Sequence, residues 1–230
     1  MHSLFITFKP WCAKQMTDGN AGKILDILRN TFSVPKWIAS SEDPFKTLIV
    51  TIISQNTNDR NTARAFENLS NDFRITPEIL AKASVEDIER SLKVAGLYRN
   101  KARVLKQVSE EVVQKYEGDL NRILALPLEE ARRQLLEFRG VGPKTADVLL
   151  LFAARKSTIP VDTHVNRVSK RLGLAPRDGD YEDVRQALQS LFDPKDYLAV
   201  HLLLIMTGRK YCKARKPLCN ECPLKDLCHF

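Results

Sequence analysis

The stretch of residues 135–162 constrains the fold of this chain more than any other part of the sequence. It begins with an apolar helix end, passes through Gly140-Val141-Gly142, and enters a second helix at Pro143. Proline suits the first helical position because its missing N–H needs no partner there and its φ is already helical. The two glycines let the backbone turn sharply and leave its N–H groups uncovered. The pattern therefore predicts two helices joined by a tight hairpin that holds a phosphate at the start of the second helix.

Two residues of this stretch, Lys144 and Asp162, are candidates for chemistry. Lys144 falls in the first turn of the second helix, and a lysine is a nucleophile only while its amine is neutral. A site poor in water, with positive helix-end potential nearby, lowers a lysine pKa. The structural alternatives are a solvated or phosphate-binding lysine and an aspartate that caps the helix starting at Thr163. Both interpretations stay open on these residues alone.

The cysteines indicate a metal centre. Four of the five lie in the last twenty residues, whereas Cys12 stands apart. A chain this large and apolar, without features of an exported protein, is a poor candidate for disulfides, so the cluster predicts metal-binding thiolates. Zinc and an iron–sulfur cubane both accept four cysteines, and the chemistry alone does not separate them. The four candidate ligands are Cys212, Cys219, Cys222 and Cys228.

Composition limits the class of protein. The chain has 230 residues, of which 43% are hydrophobic, so it can bury a core and is not expected to be disordered. A net charge of +8 favours a polyanionic partner. We find no apolar run of about 18 residues, which excludes a membrane span, and no features of a signal peptide. We therefore expect a cytoplasmic protein.

Hydrophobic periodicity predicts an all-α fold. Apolar residues recur at helical spacing through most of the chain, and no longer run alternates as a strand does. A helix starting at Pro44 after Asp43 is apolar on most faces and is expected to be central. It ends in the polar run 55–58, which needs capping partners or a ligand. The clearest amphipathic segments are 21–32, 61–73, 101–116 and 181–192.

At this point the residues resemble a known family. The run GVGPKTA, with VDTHV placing Asp162 eighteen residues after Lys144, is similar to the helix-hairpin-helix DNA glycosylases. The likeness is greatest to the endonuclease III branch, which removes oxidised pyrimidines and nicks DNA, and it covers residues 43–228. In that branch the matching lysine and aspartate are the catalytic pair. One departure is Phe138-Arg139, where the family usually has Leu-Pro.

The resemblance implies an architecture of two all-α lobes. A six-helix barrel carrying the helix-hairpin-helix motif would span 36–155. Residues 1–35 together with 156–230 would form the second lobe, which carries the cluster loop. The active site would lie in the cleft between the lobes, with Lys144 on the first and Asp162 on the second.

The resemblance also implies DNA contacts and a cofactor. Gln55 would insert where the damaged base has left, and Leu97 would act as a wedge. The structural alternatives are ordinary capping and turn chemistry for Gln55 and a connector whose leucine packs locally for Leu97. The amides of the hairpin, Gly140 to Gly142, would bind a phosphate. The cysteine spacing matches a [4Fe–4S] loop. Its three cations form either a phosphate-binding patch or a solvated loop; they are Lys213, Arg215 and Lys216.

The sequence therefore predicts a base-excision-repair glycosylase with abasic-site (AP) lyase activity. Its substrate would be double-stranded DNA with damaged bases or abasic sites, and we expect a nucleoid-associated monomer. One alternative is a mismatch-specific thymine, uracil or adenine glycosylase without lyase activity, but such relatives generally lack the lysine after the hairpin. The others are a non-enzymatic DNA-binding hairpin protein and an iron–sulfur electron carrier.

Overall fold

The computed structural model describes residues 18–33, 43–228 and 230, and their regular structure is entirely helical. The predicted all-α fold class is thereby confirmed. No helix in these ranges is long and apolar enough to cross a membrane. The described α-helices are α1 (Asp18–Thr31), α2 (Pro44–Ser54), α3 (Asp59–Asp72), α4 (Pro77–Lys82), α5 (Val85–Leu92), α6 (Tyr98–Tyr116), α7 (Asn121–Leu124), α8 (Leu128–Leu136), α9 (Pro143–Phe152), α10 (Thr163–Leu172), α11 (Tyr181–Leu191) and α12 (Tyr197–Lys210).

The described residues divide into two compact units. Residues 43–160 form the hairpin unit, which contains α2 to α9, whereas 18–33 and the chain from 161 onward form the cluster unit. The hairpin unit thus holds eight described helices, of which α4 and α7 are the shortest. The boundaries at 36–155 stay a prediction.

Helix α2 is the centre of the hairpin unit, as its apolar sequence predicts. The Asp43 carboxylate accepts hydrogen bonds from the amides of Phe45 and Lys46 at 3.0 and 3.1 Å, which fixes the helix start. The side chains of Ile49 and Ile52 are completely buried. Because α2 packs against α3, α6 and α9, it supports the helix that follows the hairpin.

A buried ion pair holds α9 in place. Arg132 on α8 donates to both carboxylate oxygens of Asp147, at 2.9 and 3.3 Å. The hydroxyl of Thr158 donates to the same carboxylate at 3.0 Å. Removal of one partner from such a pair leaves an uncompensated buried charge and costs about 3–5 kcal/mol. Since Asp147 lies one turn after Lys144, this network positions the helix that carries the candidate nucleophile.

The cluster unit is built around α10. Its buried face, which includes Val165, Val168 and Leu172, packs against α11 and α12. Helix α1 packs on α12, and Arg29 pairs with Asp196 at 2.5 Å just before α12 begins. These contacts tie the N-terminal helix to the C-terminal third of the chain.

Candidate active site and cluster loop

The hairpin turn depends on only one of its two glycines. Gly140 has φ +81°, and a Cβ atom there would lie 2.5 Å from Val104 Cγ1 on α6. Left-handed backbone and close packing together explain the glycine. Gly142 has φ −93°, and a Cβ atom there would meet nothing within 4 Å. The conformational freedom predicted for both glycines is therefore wrong for Gly142.

The amides of the hairpin are only partly available for an anion. The N–H of Val141 donates to the carbonyl of Phe138 at 3.1 Å. Phosphate binding by this amide stays a prediction, and it requires that bond to be released or shared. In the described part of the chain, the N–H groups of Gly140, Gly142 and Lys144 have no hydrogen-bond partner. Gly142 precedes α9 as an N-cap residue without a side chain. Helix α9 therefore begins with open amides, which suits an anion.

Lys144 is the second residue of α9 and is half-buried. Its ammonium group makes no ion pair or hydrogen bond with any described residue. No carboxylate therefore restrains the side chain within its own unit. The backbone of Lys144 lies in the first turn of α9, where the open amides are.

Asp162 is the N-cap of α10. One carboxylate oxygen, Oδ1, accepts the amides of His164 and Val165, both at 2.8 Å. The capping interpretation is thus observed directly. The other oxygen, Oδ2, has no partner among the described residues, so the cap leaves one charged oxygen available. Asp162 also borders a surface cavity of about 250 Å³ together with Asn166 and Lys170.

Gln55 is attached to the hairpin. Its side-chain Nε2 donates to the Gly140 carbonyl at 3.1 Å and to Thr145 Oγ1 at 3.3 Å. These bonds join the end of α2 to both sides of the hairpin turn. Insertion of Gln55 into a duplex stays a prediction, and it requires both bonds to be released.

Leu97 is an exposed apolar side chain on a strained turn. It is 62% exposed, and its φ of +58° is left-handed. A non-glycine residue in this region costs about 1–3 kcal/mol, which the surrounding fold must supply. A Cβ atom on the preceding Gly96 would lie 3.2 Å from the carbonyl oxygen of Asn56. The turn of Leu97 therefore lies against the segment that follows Gln55, which suits the predicted wedge without testing it.

Lys101 was not marked by the sequence analysis. It lies one turn after Leu97, is only 3% exposed, and its Nζ atom has no partner in the described structure. Burial lowers the pKa of this lysine, because the charged form loses its hydration. The available sequence signal was its spacing with Leu105 and Val108 on the buried face of α6. Lys101 is therefore a second candidate, beside Lys144, for any step that requires a neutral lysine.

The four clustered cysteines are free thiols that line one cavity of about 260 Å³. Four thiolates around one cavity can hold a cubane of four irons and four sulfides. Burial raises the pKa of the Cys222 thiol, and bound metal would stabilise its thiolate.

Two arginines of α10 hold the start of the cysteine loop. Arg171 donates to the carbonyls of Lys213 and Ala214 at 2.8 and 3.3 Å and to Cys212 Sγ at 3.4 Å. Arg167 donates to the Cys212 carbonyl at 2.9 Å. Neither arginine stands out in the sequence, because spacing on a helix does not reveal a partner more than forty residues away. The helix that Asp162 caps therefore also supports the cluster loop.

The basic residues of the loop are presented to solvent. Lys213, Arg215 and Lys216 are all exposed, and their side chains have no ion-pair partner in the described ranges. Lys216 adopts φ +50° in the turn before the second cysteine. Their contact with phosphates stays a prediction.

Comparisons with known proteins agree with this geometry. A model of the HhH-GPD superfamily of base excision DNA repair proteins matches residues 49–194. A model of the iron–sulfur binding domain of endonuclease III matches residues 212–228. Endonuclease III of Sulfolobus acidocaldarius is 37% identical over 81% of this chain and 82% of that protein. The Thermotoga maritima enzyme is 38% identical over 82% of this chain and 84% of its own length.

The fold also matches a solved structure of a trapped covalent intermediate of endonuclease III with DNA. The TM-score is 0.82 at 32% identity, covering 93% of this chain and 96% of that one. Fold and hairpin together define a class, the helix-hairpin-helix base excision repair proteins. The sequence identity to the two endonuclease III relatives, and the share of each chain that is covered, narrow this class further. The chain belongs to the endonuclease III family of DNA glycosylases. The [4Fe–4S] cofactor is confirmed, whereas its four individual ligands stay predictions.

Proposed function

We propose that this chain excises oxidised pyrimidines from duplex DNA and cleaves the strand 3′ to the abasic site. The observation that carries the proposal is Lys144, whose unpaired, half-buried amine lies in the first turn of a helix with open amides. A mismatch-specific glycosylase without lyase activity uses no lysine nucleophile. A hairpin that only binds DNA needs neither this amine nor the carboxylate of Asp162.

In the first stage the damaged nucleotide is flipped out of the duplex and its base is removed. The amides of Gly140 and Gly142 hold a nearby phosphate. The neutral amine of Lys144 attacks C1′ of the deoxyribose, the bond from C1′ to the base breaks, and the base leaves with its electron pair and takes up a proton. The charge of Asp162 stabilises the positive charge that develops on the sugar.

The second stage cuts the strand. The sugar ring opens, and the nitrogen of Lys144 forms an imine with C1′. The protonated imine makes the C2′ proton acidic, and water takes that proton. The C3′–O bond then breaks, and the 3′ phosphate leaves with its electron pair. Water then hydrolyses the imine, which releases the aldehyde product and restores the amine of Lys144.

The cluster loop contributes binding in this proposal. Cys212, Cys219, Cys222 and Cys228 would hold the cluster, and the loop between the first two cysteines would then be fixed at both ends. Arg171 holds the same loop from α10. The exposed side chains of the loop then contact phosphates, a sequence-independent contribution to affinity.

We further propose that the protein acts as a cytoplasmic monomer on chromosomal DNA. The exposed cations of the cluster loop, Lys213, Arg215 and Lys216, suit a polyanionic partner. Light scattering of the protein with and without a lesion duplex measures this. A mass of two chains per duplex would contradict it.

Borohydride trapping tests the proposed chemistry. The imine is reduced to a stable amine, so wild-type protein should be covalently trapped on duplex DNA carrying an oxidised pyrimidine. Lys144→Gln removes the nucleophile, so trapping and strand cleavage should vanish while lesion binding largely survives. Lys156→Gln, a half-buried lysine of the same unit, is the control and should be trapped normally. Persistent trapping by Lys144→Gln would remove Lys144 from the mechanism.

A further inference from the structure

Two exposed arginines flank the hairpin on either side of one close packing contact. Arg139 directly precedes Gly140. Arg103 directly precedes Val104, whose Cγ1 lies 2.5 Å from the place where Gly140 would carry a Cβ atom. Since consecutive Cα atoms are about 3.8 Å apart, both arginines start within one residue of this contact. The packing of α6 on the hairpin therefore places the backbones of two exposed arginines, from distant parts of the sequence, close to one contact.

These two arginines differ from their neighbours in having no partner. Both are exposed, and neither guanidinium makes a hydrogen bond or ion pair in the part of the chain that the structure describes. On the preceding helix, Arg132 is buried against Asp147. Arg133 is exposed but pairs with Glu130 at 2.6 Å and with Glu137 at 2.9 Å. The field of Arg133 is thus cancelled locally, whereas those of Arg103 and Arg139 are not.

We infer that Arg103 and Arg139 form a second phosphate-binding site that extends the hairpin site along the DNA backbone. The inference rests on the proposed function, which places a DNA phosphate at the amides of Gly140 and Gly142. One strand carries a charge about every 3.4 Å along the helix axis, so a phosphate held at the hairpin has neighbours within reach of a long side chain. The planar guanidinium binds phosphate oxygens in pairs, which suits this role.

The pair acts on affinity and placement, not on the chemical steps. Contacts to phosphates fix the register of a protein on DNA without reading its sequence. Loss of either arginine should therefore weaken binding to damaged and undamaged duplex alike. Reaction of the bound complex should proceed at the wild-type rate.

The salt dependence of binding tests the inference. Affinity for a short undamaged duplex is measured across a salt series for wild type, Arg103→Ala, Arg139→Ala and the double variant. Each single change should make the log–log slope shallower by about one unit, and the double change by about two. Arg103→Lys and Arg139→Lys should restore the slope, because each keeps a positive charge. The control Arg133→Ala should leave it unchanged, since that arginine is already paired.

An unchanged slope in both alanine variants would overturn the site, and an unchanged slope in one would remove that arginine from it. A second measurement separates this inference from the proposed function. At saturating abasic duplex, both variants should be trapped by borohydride as fully as wild type. Loss of trapping by the variants alone would overturn the inference, because it would give the arginines a role in chemistry. If the wild-type protein is not trapped, the proposed function is overturned. The salt slopes of the alanine variants would still show whether Arg103 and Arg139 bind phosphates.

Discussion

The starts of α9 and α10 show that a helix N-terminus can be suited to groups of opposite charge, depending on how it is capped. Helix α9 begins after Gly142 with no side-chain cap, so its first amides stay open. Helix α10 begins after Asp162, whose carboxylate accepts two of its amides at 2.8 Å. The first helix start is open and positive, whereas the second is closed by a negative group.

Because of this difference in capping, the two helix starts are suited to different groups of the substrate. Orphan amides and the helix dipole favour an anion at α9, so we expect the DNA phosphate there. At α10 the same amides hold a carboxylate in a fixed place and leave Oδ2 without a described partner. A fixed carboxylate suits the positive charge that develops on the sugar during base loss. Capping and catalysis are therefore compatible roles for Asp162.

The largest expected effect comes from removing the charge at the closed helix start. Asp162→Asn keeps a good cap, since Asn caps about as well as Asp. Stability should stay near wild type, while the single-turnover rate of base excision should fall by about 10²–10³-fold. Asp43→Asn is the control, because Asp43 caps α2 through two amides in the same way and should leave the rate unchanged. Excision near the wild-type rate by Asp162→Asn would leave Asp162 as a cap alone.

The next largest effect is expected from loss of the cluster, which should change DNA binding through the cysteine loop and not the chemistry at the hairpin. Wild-type protein should contain iron and sulfide near four each per chain, as a cubane does. Cys222→Ser should lose the cluster, weaken DNA binding and make its salt slope shallower, because the loop cations lose their fixed positions. The rate at saturating DNA should change far less. Cys12→Ser, at a position outside the described residues, should alter none of these quantities.

Stoichiometric zinc without visible absorbance in the wild type would contradict the cluster assignment. A Cys222→Ser variant that lost its excision rate at saturating DNA, rather than its affinity, would place the cluster loop in the chemistry. Iron content, duplex affinity and single-turnover rate are therefore measured on the same preparations.

A smaller effect compares the two hairpin glycines. Gly140→Ala places a methyl group against Val104 with a left-handed backbone, so it should cost at least about 1–2 kcal/mol of stability. Gly142→Ala meets no neighbour and should be near neutral for stability. Its methyl group would still stand at the open amides and should weaken duplex binding. Thermal unfolding and duplex affinity are measured on both variants. Wild-type affinity of Gly142→Ala for duplex DNA would contradict the proposal that the open start of α9 binds a phosphate.

Local patterns in the sequence predicted local structure well. The cap at Asp43 and the helix start at Pro143 follow from residue type, and the structure confirms both. The start of α6 at Tyr98, earlier than predicted, was hidden because apolar Leu97 occupies the N-cap position without a capping side chain. The bond from the Val141 amide to Phe138 was also hidden, since it depends on turn geometry and not on side chains.

The sequence did not reveal contacts between residues that lie far apart in the chain. The bonds from Arg167 and Arg171 to the cysteine loop join residues 41 to 45 positions apart. Burial of Lys101 depends on how α6 packs within its unit, although its helical spacing hinted at it. The roles of Lys144 and Asp162 came from resemblance. The structure adds that one amine is unrestrained and one carboxylate is fixed.

The most direct test of the account is to locate the covalent bond itself. Wild-type protein is trapped with borohydride on duplex DNA carrying an oxidised pyrimidine, digested, and mapped by mass spectrometry. We expect the reduced deoxyribose adduct on Nζ of Lys144. An adduct on Lys101, the buried lysine whose pKa is lowered by desolvation, or on any other amine would contradict it.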